Sequence, residues 1–124
     1  MEIKLMNFSF NMLPVKRQSV FQLKDFEVWC GTMVEDGRGG YVLFFSFWPK
    51  NKGFNAWVTH SKIGYATAKT PLGPWRFGGI ALSGAGGGAW DRDVVHNPSA
   101  LLYQGRYYLY YTGNYGNGEY WDQG

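Results

Sequence analysis

The residues best equipped for chemistry sit together in Trp90-Asp91-Arg92-Asp93-Val94-Val95-His96-Asn97-Pro98. Two carboxylates, an imidazole and a primary amide beside a tryptophan can exchange protons with a hydroxylated substrate and hydrogen-bond to it. Asp91 is the first candidate for a catalytic carboxylate and Asp93 the second. Plainer readings stand beside these. Either aspartate can cap a turn by accepting backbone N–H groups, and His96 can be a ring bonded to the backbone. His60 and His96 are the two histidines and Cys30 the single cysteine, too few and too far apart for a zinc spacing. No metal and no cofactor is expected, and Cys30 reads as a small buried hydrophobe.

The elements that must position this cluster are strands. After Pro98 the chain becomes a strand, turns at Gln104-Gly105 and returns through Tyr107-Tyr108-Leu109-Tyr110-Tyr111. Alternation sends Tyr108 and Tyr110 to one face and Tyr107, Leu109 and Tyr111 to the other. A weaker copy lies upstream. Val28 to Val34 is a strand, Glu35 to Gly40 an Asp-Gly turn, and Tyr41 to Trp48 the return strand. A third strand is expected over Ala56 to Thr67, and a fourth over Trp75 to Leu82 after the turn Pro71-Leu72-Gly73-Pro74. Tyr41 and Tyr107 hold equivalent places, roughly 66 residues apart, and a four-stranded meander at such a period is the mark of a β-propeller blade with insertions.

Composition agrees. The 124 residues suffice for one domain, and 18 glycines with 19% aromatic residues favour strands joined by tight turns. The expected class is all-β: antiparallel four-stranded meanders, about one and a half blades of a propeller. Residues 1–20 are a lead-in, 21–82 the first blade, 83–89 a glycine-rich linker and 90–124 the start of a second blade. Propellers close with about 4–8 blades, so the domain reads as incomplete, with the remaining blades needed as partners for closure. The linker Ser83-Gly84-Ala85-Gly86-Gly87-Gly88-Ala89 imitates a dinucleotide fingerprint, but no helix is expected behind it to hold a pyrophosphate. The net charge of +3 is spread along the chain, so no nucleic-acid partner is expected. There is no signal-peptide pattern at the N-terminus and no apolar run long enough for a membrane span, which leaves the compartment open.

Several runs in order resemble the five-bladed β-propeller glycoside hydrolases. They are Val28-Trp29-Cys30-Gly31, Phe47-Trp48-Pro49, Trp57-Val58-Thr59-His60-Ser61, Pro71-Leu72-Gly73-Pro74-Trp75, Trp90-Asp91, His96-Asn97-Pro98 and Tyr107 to Tyr111. The nearest type is the family 43-like arabinanases and β-xylosidases; invertases and levansucrases are more distant. The resemblance covers residues 20–124 and implies hydrolysis of O-glycosidic bonds in an oligo- or polysaccharide by carboxylates at one mouth of a central channel. It also implies that the lip residues 29–32, the loop 47–61, the cluster 90–97 and the tail from Gly113 gather at that mouth. Trp29, Trp48, Trp57, His60, Trp90, His96 and Asn97 are then the sugar-contacting candidates, with Tyr115 and Trp121 as further rings. The family's Asp-Pro is here Asn97-Pro98, and the matching place upstream is Cys30-Gly31. Asparagine cannot act as a carboxylate base. Asp91 or Asp93 must supply the local carboxylate and the general acid must lie beyond Gly124, with Glu119 and Asp122 as minor local carboxylates. A non-catalytic carbohydrate-binding propeller is the alternative, and a basic, aromatic nucleic-acid-binding β-domain the third reading.

Overall fold

In the computed structural model, residues 14–115 and the backbone of 122–123 are described. Apart from short 3-10 turns and one helical turn the chain is all-β. Strands β1 (Phe26–Glu35), β2 (Tyr41–Pro49), β3 (Lys62–Ala68) and β4 (Arg76–Leu82) form a four-stranded antiparallel meander in that order. Strands β5 (Val94–Tyr103), β6 (Arg106–Tyr115) and β7 (Asp122–Gln123) form a second antiparallel sheet. The described sheets do not close into a propeller.

The β1–β2 turn follows from Asp36, whose carboxylate accepts N–H bonds from Arg38 (2.7 Å) and Gly40 (2.8 Å). These bonds, that to Gly40 first, hold its pKa below the ordinary carboxylate range. Gly37 and Gly39 take the positive φ values (72° and 87°) that the turn demands.

Two apolar clusters hold the sheets. Phe44, Ile63 and Val95 are buried between them, with Val34 and Val42 from the first sheet and Ala100, Leu109 and Tyr111 from the second. On the far face of the first sheet, Phe45, Phe47 and Ala66 are covered by Phe21, Leu23, Phe26 and Trp75. The expected sidedness of the tyrosine strand holds: Leu109 and Tyr111 pack inward, whereas Tyr108 and Tyr110 are 42% and 65% exposed.

Three expectations need correction. The third strand starts at Lys62 rather than Ala56, because Trp57–His60 forms a helical turn, α1. Gly53 at φ 85° turns the chain, and Thr59 Oγ1 donates back to the Ala56 carbonyl (3.3 Å), so residues 54–60 fold on themselves before the ladder begins. His96 and Asn97 are not in a loop before a strand but inside β5. The tyrosine strand does not end at Tyr111 either, since β6 runs to Tyr115 and pairs with β7.

The repeat is visible in the register. In β1–β2 the pairing slips between Trp29↔Ser46 and Thr32↔Phe44; in β5–β6 it slips between His96↔Thr112 and Ser99↔Tyr110. Each slip is a bulge, and each contains one non-glycine residue at positive φ: Cys30 (49°) and Asn97 (51°). Cys30-Gly31 and Asn97-Pro98 are therefore the same place in two copies of one hairpin. Tyr41 and Tyr107 also match as expected, pairing with Glu35 and Leu102.

Candidate functional site

The two bulges face a common pocket of about 300 Å³ lined by Trp29, Cys30, Ser46, Trp48, Phe54, Trp57, His96 and Asn97. Strand β1 supplies Trp29 and Cys30, β2 supplies Ser46 and Trp48, the loop and helical turn supply Phe54 and Trp57, and β5 supplies His96 and Asn97. Three cross-links hold them. The Asn97 backbone N–H donates to Ser46 Oγ at 2.8 Å, which fixes the β5 bulge against β2. The Ala100 N–H donates to Thr32 Oγ1 at 3.4 Å just beyond it. The Asn114 side-chain amide donates to the Val58 carbonyl at 3.1 Å and anchors the helical turn to β6.

The rings form the walls. Phe54 meets Trp29 edge-on at 5.8 Å and Trp48 at 6.1 Å, and Trp57 meets the His96 ring edge-on at 5.1 Å. Trp29 and Phe54 are each 54% exposed, which leaves apolar ring surface open at the mouth. Behind them lies unused hydrogen-bonding capacity. His96 is 2% exposed and neither of its ring nitrogens has a partner; the buried Trp48 Nε1 has none either. Unpaired buried donors and acceptors are rare enough to need an explanation, and a functional site is one. Burial holds His96 below its ordinary value of 6.5; the Asn97 side chain pulls the other way without a hydrogen bond of good geometry. The imidazole is thus neutral near pH 7, one nitrogen a donor and the other an acceptor. The plainer expectation, a ring bonded to backbone, is overturned.

Five of the sequence candidates, Trp29, Trp48, Trp57, His96 and Asn97, line this pocket, and four do not. Asp91 is 6% exposed, and its carboxylate accepts the Tyr111 hydroxyl at 2.7 Å. That bond is the main reason the Tyr111 phenol is held above its ordinary value. Trp90 lies flat on the Tyr111 ring (5.6 Å, 17°). His60 and Asp93 border a separate groove of about 920 Å³ that runs past Phe26, Phe47, Phe77 and Ile80. His60 Nδ1 sits 2.7 Å from Thr59 Oγ1, and Asp93 pairs with Arg92 at 3.5 Å. The groove's floor consists of Phe26, Phe47 and Phe77 packed ring against ring, so it is an open flank of the core cluster. Tyr115 lies under the Arg92 guanidinium (5.4 Å), while Trp121 and Glu119 are outside the described residues, as is the Asp122 side chain.

Two lining residues were misjudged from sequence. Cys30 is exposed, not buried, because the bulge turns it out of the sheet. Ser46 belongs to no motif; its signal is that it is the lone polar residue in Phe44-Phe45-Ser46-Phe47-Trp48. Among the described residues no group of three potential metal ligands occurs, and no helix is long and apolar enough to cross a membrane.

No protein-family model and no curated protein matches the chain. A solved structure does resemble it: Zg3597, a family 117 glycoside hydrolase produced by the marine bacterium Zobellia galactanivorans, at a TM-score of 0.55 and 27% identity. The match takes in 71% of this chain and 25% of that one, so the chain spans about a quarter of its relative's length. The likeness is distant and partial, and it fits the all-β architecture: over the matched part this is a glycosidase-like fold.

Proposed function

We propose that this chain is the sugar-binding lip of a glycoside hydrolase-type β-propeller, built to hold part of an oligo- or polysaccharide. One observation carries the reading: a pocket of about 300 Å³ whose walls are indole and phenyl rings and whose remaining groups are Cys30, Ser46, His96 and Asn97. Sugars present apolar C–H faces and hydroxyl edges, and such a pocket meets both, rings against faces and amide or imidazole against hydroxyls. A hydroxyl both donates and accepts, so it can satisfy the Trp48 N–H donor and either nitrogen of a neutral His96. The likeness to a family 117 glycoside hydrolase supports the same class of ligand.

Cleavage needs one protonated and one ionised carboxyl flanking the bond. No carboxylate lines the pocket, so hydrolysis would draw on Asp91, Asp93 or groups elsewhere in a longer protein. A second reading, binding without cleavage, is favoured by Asn97 and Cys30, which occupy the two equivalent bulges with no ionisable carboxyl between them.

Titration of a panel of neutral oligosaccharides, followed by tryptophan fluorescence and calorimetry, tests the binding. Trp57→Ala and Asn97→Ala should each weaken the best ligand at least about tenfold, the usual scale for losing a stacked ring or a paired amide. Failure of every saccharide to bind ends the proposal. Aryl-glycoside turnover that disappears in Asp91→Asn would establish hydrolysis; binding without turnover would establish the second reading.

A further inference from the structure

We propose that the pocket between the two bulges recognises an acidic sugar, a hexuronate residue, and that His96 gains a proton as the sugar's carboxylate seats against it. This deepens the sugar-binding reading and rests on it. The hydrogen-bonding groups that line the pocket point to the acid. The Trp48 indole N–H is buried without a partner and can only donate. Ser46 Oγ already accepts the Asn97 backbone N–H at 2.8 Å, so its hydroxyl hydrogen is left to donate. Neutral His96 donates from one ring nitrogen, and neither nitrogen is partnered. The pocket is therefore rich in donors, and no carboxylate lines it. A sugar hydroxyl can meet these donors one at a time. A carboxylate only accepts, at about four lone-pair sites, and can meet several at once.

A carboxylate taken out of water needs a positive partner, and neither lysine nor arginine lines the pocket. His96 is the group there that can become one. Protonated, it donates from both nitrogens, one to the sugar's carboxylate and one toward the side-chain carbonyl of Asn97, which already favours the charged ring. No other charge acts on the imidazole. Among the elements packed against β5, β1 brings Cys30, whose thiol burial pushes up and so keeps neutral. The same strand carries Glu27, paired with Trp48 one step outward from the pocket, and Glu35 at its far end. Strand β2 carries no charged side chain. His60 of α1 is engaged by Thr59, Lys62 of β3 lines the separate groove, and Tyr111 of β6 is joined to Asp91. Arg106 stands at the turn end of β6, opposite Tyr103.

Linkage fixes the sign. Burial holds the free imidazole below its ordinary value of 6.5, and a carboxylate beside it raises that value in the complex. Between the two values the complex holds one proton more than its separate parts. Affinity for the uronate should therefore fall about tenfold for each unit rise in pH across that window.

Calorimetry on the purified chain should use oligomers of glucuronate, galacturonate, mannuronate and guluronate, each beside its carboxyl-reduced neutral form. At about pH 5.5 at least one acid should bind about tenfold or more tighter than its reduced form, and the preference should be lost by about pH 8.5. Titrations at the lower pH in buffers of different ionisation enthalpy should show net proton uptake, rising toward one per sugar. By NMR, saturation with the acid should move the titration midpoint of His96 up by at least about 1 pH unit, while that of the exposed His60 stays in place. His96→Gln keeps a donor and an acceptor but cannot charge, and should lose the preference for the acid. The wild-type proton count and NMR stand even if this variant misfolds. Equal affinity for acid and reduced form at every pH overturns the proposal. So does a preference that ignores pH, that comes without proton uptake, or that survives His96→Gln. Binding of the neutral forms with no preference for the acids overturns it and leaves the sugar-binding reading in place; failure of acids and neutral forms alike ends both.

Discussion

His96→Leu should make this protein more stable and less able to bind sugar. The native imidazole is 2% exposed with both nitrogens unpartnered, and a polar group left that way costs about 1–3 kcal/mol relative to its hydrated state in the unfolded chain. Leucine has a similar volume and removes that cost. Against it stands the edge-on contact with Trp57 at 5.1 Å, worth about 0.5–1.5 kcal/mol. The balance is a gain of about 1 kcal/mol at pH 7.5, read as a shift of the urea midpoint at constant slope.

The same residue fixes a pH dependence. Burial puts the folded-state value of His96 below the ordinary 6.5, so as pH falls the unfolded chain takes up its proton first. The wild type holds this part of its stability above about pH 6.5 and loses it as pH drops from there toward the lower folded value. His96→Leu has nothing to titrate at this position, so its advantage should be larger at pH 5 than at pH 7.5. Calorimetry should meanwhile show sugar affinity reduced at least about tenfold, because the imidazole's donor and acceptor are gone. A variant less stable than wild type by more than about 1 kcal/mol, with the same difference at both pH values, would refute the reasoning: His96 would then be partnered in the native state.

Four further substitutions probe the frame around the pocket. Gly113→Ala places a methyl 2.5 Å from Asp91 Cβ and 2.6 Å from the Trp90 ring, so thermal denaturation should show a loss of about 1–3 kcal/mol. Tyr111→Phe strips the hydroxyl donor from a buried carboxylate and should cost about 1.5–3 kcal/mol in urea unfolding, whereas Asp91→Asn keeps an acceptor and should cost less. The double variant should fall short of their sum, and strict additivity would show that the two groups do not interact. Cys30→Gly relieves a non-glycine residue at φ 49° and should change stability by less than about 1 kcal/mol, since glycine's extra unfolded-state entropy opposes the relief. Iodoacetamide labelling of wild-type Cys30 should slow when sugar is bound; labelling at an unchanged rate would place the sugar elsewhere.

The meander was legible because it is written in local terms. Asp36 with its glycines makes a turn, and long runs such as Tyr41 to Trp48 cannot be anything but buried strand once a turn precedes them. The tyrosine strand was legible for the same reason: period-two alternation is a property of the backbone and needs no knowledge of the partner. Residues 54–60 were not legible, since what keeps them from extending β3 is a glycine at positive φ and an amide, Asn114, reaching in from β6. That last contact is long-range, and no window around Trp57 contains it.

The pocket shows what repeat logic could and could not reach. Matching Cys30-Gly31 with Asn97-Pro98 by motif was enough to place Trp29, His96 and Asn97 at one lip, and the two bulges explain why. A bulge residue at positive φ favours Asn, Asp or Gly, whose side chains tolerate the left-handed region. Asn97 therefore keeps the backbone role an aspartate would have there while giving up the charge. Cys30 keeps neither the preference nor the charge, and a strained, exposed thiol at the matching place is hard to account for by folding alone. Motif spacing also put Asp91 at the lip, and here side-chain chemistry decided otherwise: a tyrosine two residues before Gly113 captured the carboxylate inside the second sheet. The sequence neighbours of a catalytic-looking aspartate do not say which way it faces. In this chain the groups lining the cavity are rings, an amide, a hydroxyl, an imidazole and a thiol, a set suited to holding a ligand and without a carboxylate to cleave one.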